Sequence, residues 1–193
     1  MAIEPPRVSV PTGWRRVEES VDRPFDVRVV SVTAATRVWE DEATATAVRE
    51  ETGGDRTWRF FFASRLVLRP APGSSKPLQR LVTARALDGF EERLRDRGFR
   101  SVARRESRDL PVGNGDATLT RYEAVSPVDQ LDAVLSVEGY AAVWSAGREF
   151  RMAGGAYPVE VRRGTGEAVA TVADALDPEG FRSELLDLIR RVE

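Results

Sequence analysis

A chain of 193 residues with 41% apolar and 31% charged side chains and a net charge of −2 has the make-up of an ordinary globular domain. It contains neither cysteine nor histidine, which excludes disulfides, thiolate chemistry, Cys- or His-ligated metals and any Ser-His-Asp triad. A near-neutral charge does not point to nucleic acid or to acidic membranes, and Lys76 is the sole lysine beside 28 arginines.

Residues 1–13 hold Pro5, Pro6, Pro11 and Gly13 and read as an extended arm. That leaves 14–193 as a single domain. The start has acid and prolines where a signal peptide needs basic and apolar residues. No apolar run approaches the length of a membrane-spanning helix. The chain is expected in the cytoplasm or as the mature part of an exported protein.

Trp14–Val21 reads as a short strand closed by Asp22-Arg23-Pro24, and Val27–Val38 as a longer one. Ala43–Glu51, after three acids and before Gly53-Gly54, suits a short helix with a glycine cap. Trp58–Arg69 is apolar on both alternations, as a central, covered strand would be. Pro70–Pro77 reads as a mobile loop. Ala84–Arg97 is a helix carrying Leu87, Phe90 and Leu94 on one stripe and stopped by Gly98.

Two strands, Phe99–Arg108 and Ala117–Val125, follow around a turn at Asn114-Gly115. Residues 126–135 suit either a helical turn or a loop. Val137–Ala146 and Arg148–Ala153 form a hairpin around Gly147, which Gly154-Gly155 breaks. Val159–Arg162 and Ala168–Ala173 read as two further strands. A final helix starts at Asp177-Pro178-Glu179 and buries Phe181, Leu185, Leu188 and Val192. The fold class is therefore α+β, a mostly antiparallel sheet flanked by helices.

Motifs for catalysis are missing. Lys76 precedes Pro77, so no phosphate loop exists, and the Gly164-Thr-Gly166 and Gly113-Asn-Gly115 turns lack the third small residue of a dinucleotide site. No Gly-x-Ser-x-Gly elbow occurs. No cofactor is called for. Glu40-Asp41-Glu42 could bind a hard cation, but a solvated helix start accounts for it better. Two features mark a candidate binding surface. One is the arginine-rich run Arg93–Arg108, with Arg100, Arg104 and Arg105. The other is Trp144, Gly154, Gly155 and Tyr157, where aromatics meet a glycine pair that would let a ligand approach the backbone.

The helix ending in Arg97-Gly98-Phe99, the paired strands, Tyr140-Ala-Ala-Val-Trp144, the Gly147 turn and the closing helix are similar in order to the PsbP/Mog1 type of α/β/α sandwich. Separately, Trp58-Arg59-Phe60-Phe61-Phe62-Ala63-Ser64-Arg65-Leu66, Trp144 and Gly154-Gly155-Ala156-Tyr157-Pro158 resemble a haloarchaeal family of unknown function. PsbP-like domains are mostly binding or assembly modules, so the resemblance implies a non-catalytic role with a protein partner. The alternatives are anion or nucleic-acid binding through Arg93–Arg108, and an enzyme working through carboxylates.

Overall fold

The computed structural model describes residues 3–27, 30–52, 57–70, 75–113 and 115–193. Its elements are β1 (Trp14–Val27), β2 (Val30–Asp41), α1 (Glu42–Thr52), β3 (Phe60–Arg69), α2 (Lys76–Asp96), β4 (Arg100–Val112), β5 (Gly115–Val128), a 3-10 turn at Asp129–Leu131, β6 (Ala133–Ala146), β7 (Glu149–Arg163), α3 (Glu167–Asp174) and α4 (Pro178–Arg190). The seven strands form one antiparallel sheet in the order β1-β2-β3-β7-β6-β5-β4. Two meanders, β1–β3 and β4–β7, meet at the β3–β7 seam. This is the α+β architecture that the hairpin pattern predicts.

Apolar residues on both alternations of β3 follow from its central place. Phe60, Phe62, Leu66 and Leu68 face α2 and share a core with Val82, Leu87, Phe90 and Leu94. Phe62, Phe90 and Tyr122 pack ring on ring, with centroids 5.4 and 5.0 Å apart. Phe61 and Ala63 point the other way, onto a second core with Phe181, Leu185, Leu188 and Ile189 of α4. Val8 and Val10 of the N-terminal segment pack on that second core, and the Glu193 amide donates to the Arg7 carbonyl at 3.1 Å.

Helix α2 begins at Lys76, not at Ala84. The Ser75 Oγ accepts from the Leu78 amide, and Pro77 lies in the first turn, where its missing N–H breaks no helical bond. It ends in a Schellman pattern: the Phe99 amide bonds the Leu94 carbonyl and the Gly98 amide that of Arg95, with Gly98 at φ +86°. The Asp177 Oδ1 caps α4 through the Gly180 amide at 3.0 Å.

Other departures are equally local. β1 runs on through Pro24 by a register shift between Asp22 and Phe25, which an edge strand tolerates. Ser126–Val128 continue β5, and β6 opens at Ala133. Gly154-Gly155 does not interrupt β7, which continues to Arg163. Residues 168–173 are helical, with Val169 and Val172 buried three apart. The Gly53-Gly54 cap, residues 71–74 of the expected loop, and Asn114 lie outside the described residues.

Candidate functional site

The structure scatters the residues singled out from the sequence. Arg100 is exposed near the start of β4. Arg104 turns to α2 and bonds Asp88 and Glu91 at 2.9 and 3.0 Å. Arg105 bonds Glu123 at 2.8 Å. Its partner follows Tyr122, which faces α2, so alternation puts Glu123 and Arg105 on the other side of the sheet. Trp144 is half-buried against the second core. Gly154 and Gly155 lie buried at the seam, approached by neighbouring strands instead of a ligand: an added Cβ would fall 2.2 Å from the Tyr140 carbonyl oxygen and 2.0 Å from that of Phe60.

Tyr157 belongs to a buried polar cluster. Its hydroxyl donates to Glu138 Oε2 at 2.6 Å. Arg182 Nη2 donates to the same oxygen at 2.8 Å, and Arg121 Nη1 to the other at 3.1 Å. Burial, then the Glu138 carboxylate, raise the Tyr157 pKa well above its ordinary value of 10.0. A raised phenol pKa leaves stability untouched below about pH 10 and erodes it as pH rises beyond. Tyr157→Phe is expected to cost about 1 kcal/mol at neutral pH, but to fall less steeply than wild type above about pH 10. Denaturant melts at neutral and alkaline pH check this; parallel curves would refute it.

A second buried cluster surrounds Arg59. The Asp41 carboxylate accepts from Arg59 Nη1 at 2.7 Å and from the amides of Ala43 and Thr44, so it caps α1. Arg59 also bonds Glu184, and its guanidinium lies 4.0 Å from the Phe181 ring centroid and 5.1 Å from that of Trp14. Strands β1 and β2 and helices α1 and α4 are tied here to Arg59, which stands just before β3. Both clusters are internally satisfied.

Polar groups remain unspent beside open space in a cleft of about 400 Å³ between α2 and the β1–β3 half of the sheet. Its floor is the row Thr36, Ser64 and Met152 across β2, β3 and β7, with Phe62 and Leu66 alongside. The two hydroxyls lie 2.7 Å apart and are almost wholly buried. Each has one proton, and their mutual bond uses only one. The wall is Arg85, Gly89 and Arg93, four residues apart along α2. A Cβ at Gly89 would meet nothing within 4 Å. The Arg93 guanidinium stands 5.8 Å from the Phe62 ring centroid. Among the described residues, neither Arg85 nor Arg93 has an ion-pair partner, nor have Glu92 and Asp96 at the rim. Asp22 completes the rim.

Of these residues only Arg93 and Asp96 fall within the run marked from the sequence. Two signals for the cleft were legible: Thr36 and Ser64 interrupt otherwise apolar alternations, and Gly89 sits inside a helix where alanine is better tolerated. Among the described residues, no three acidic, Cys or His side chains gather to hold a metal, and no helix is long and apolar enough to cross a membrane.

A family model described as a domain of unknown function (DUF6517) matches residues 2–193. No curated protein and no solved structure matches the chain.

Proposed function

We propose, from the premise that this chain belongs to the DUF6517 family, that it is a non-catalytic binding module for a protein partner, received in the cleft beneath α2. The observation that carries this reading is the contrast between its polar groups. Carboxylates at Asp41, Glu138 and Glu184 are held by guanidinium donors of their own chain, a poor arrangement for moving protons. The cleft combines apolar lining with unspent donors, the mixture that ligand sites use. The PsbP/Mog1-like element order supports a binding role, and the arginine bias suits the haloarchaeal origin that the resemblance suggests. Arg104 and Arg105, on opposite faces and each bonded to carboxylates, weigh against the Arg93–Arg108 run as one anion-binding surface.

The test is retention of partner by the immobilised protein at about 1 M salt, where screening leaves mainly short-range contacts. Wild type and Gly89→Ala are expected to retain it. Gly89→Ala should also be more stable by about 0.5–1 kcal/mol, since the helix gains and nothing is displaced. Gly89→Trp, which fills the cleft, is expected to lose the partner. Equal retention by a folded Gly89→Trp protein would overturn the reading.

A further inference from the structure

Taking the binding reading as its basis, we infer that the cleft beneath α2 captures the C-terminus of a partner protein, an apolar last residue with a free carboxylate preceded by basic residues. Three features select this occupant. First, Arg93 and the floor hydroxyls form a receptor for one carboxylate. Ser64 follows Phe62 on the same face of β3, so its Cα lies about 6.6 Å along the strand from that of the residue beneath the guanidinium. A carboxylate between them would accept charge-assisted bonds from Arg93 and the unshared hydroxyl proton. Arg93 is half-buried and without an anion of its own among the described residues.

Second, the size fits. About 400 Å³ is at the low end of the roughly 300–1,000 Å³ of ligand pockets. It suits one or two residues and not a whole helix. Leu66, Phe90, Met152 and the bare Gly89 backbone give the last side chain an apolar seat.

Third, the rim carries Asp22, Glu92 and Asp96 against Arg85. That charge favours basic residues just upstream and repels polyanions such as nucleic acid.

Short labelled peptides with basic residues and a final leucine test the inference by fluorescence anisotropy. The free acid is expected to bind at least about tenfold more tightly than its C-terminal amide, the gain of one charge-assisted contact. Arg93→Gln should erase that difference, and Arg93→Lys should keep part of it. Gly89→Trp, with Gly89→Leu as a second plug in case the larger side chain prevents folding, should abolish binding. Acidic residues upstream should weaken the free acid. If the amide binds as well as the acid and the plug still blocks both, carboxylate capture is overturned while the protein-binding reading stands. If neither peptide binds and free octanoate raises the melting temperature in an Arg93-dependent way, the occupant is a small amphipathic acid and both readings fall. If neither the peptides nor octanoate bind a folded protein, carboxylate capture falls.

Discussion

Arg59→Ala is expected to destabilise the protein by about 3–5 kcal/mol, the usual cost of leaving one member of a buried pair without its counter-charge. The loss is a large share of the roughly 5–15 kcal/mol that holds a domain together. Arg59 is 6% exposed and Asp41 5%, so removing the guanidinium leaves a carboxylate away from water. It also takes a cation from between Phe181 and Trp14 and a partner from Glu184. The test is urea unfolding of four variants. Arg59→Met should cost somewhat less than alanine, because the methionine refills volume. Arg59→Met combined with Asp41→Asn should cost less again, because the amide can still cap α1 and carries no charge. Arg104→Ala, which breaks a half-exposed pair, serves as the contrast and should cost no more than about 1 kcal/mol. A loss below about 1 kcal/mol for Arg59→Ala would show that the cluster is accessible to water after all.

Gly155→Ala is expected to be at least as damaging, by overcrowding instead of by a missing partner. The new methyl would lie 2.0 Å from the Phe60 carbonyl oxygen and 3.0 Å from Leu185 Cδ1. The leucine can turn away, but the carbonyl belongs to the paired backbone of β3 and cannot. The seam must part or the strand must slip, which puts the cost at about 3 kcal/mol or more, beyond the common range for overpacking. Gly154→Ala meets the Tyr140 carbonyl oxygen at 2.2 Å on the other flank of β7 and should behave alike. Melting temperature and soluble yield read both variants. A cooperative melt within a few degrees of wild type for Gly155→Ala would mean that β3 and β7 separate at little cost, contrary to the packing described.

These glycines also show where sequence reasoning succeeds and fails. Helix α4 was legible throughout, because Asp177, Pro178 and the Phe181–Leu185–Leu188 stripe are local signals that agree. Strand β3 was legible for the same reason: its double apolar face needs no knowledge of what covers it. Gly154-Gly155 reads as a break when taken alone, since glycine favours turns. Only the pairing with β3 and β6 reveals that side chains have no room there. Residues 168–173 have a strand-like composition, yet Val169 and Val172 are spaced for a helix, and so short a run does not settle the period by itself. The candidate site was the least legible part. Thr36, Ser64, Gly89 and Arg93 come from three distant segments, and nothing local says that β2, β3 and α2 bring them to one cleft. The arginine run, by contrast, is conspicuous in sequence and divided in space.

The order of the strands has a consequence for how the molecule assembles. Strands β4 to β7 are joined in succession by short connections, and β1 to β3 follow one another with α1 between the last two, so each meander can pair locally. Their junction cannot. Phe62 meets Gly154 across about 90 residues of intervening chain, whose closure costs entropy that grows with loop length. The seam is therefore the natural last step, completed after both meanders and α2 have found their places. Contacts made last are absent from the rate-limiting barrier, and their loss appears mainly as faster unfolding. A side chain forced into position 155 should shorten the lifetime of the native state far more than it slows the refolding of the chain.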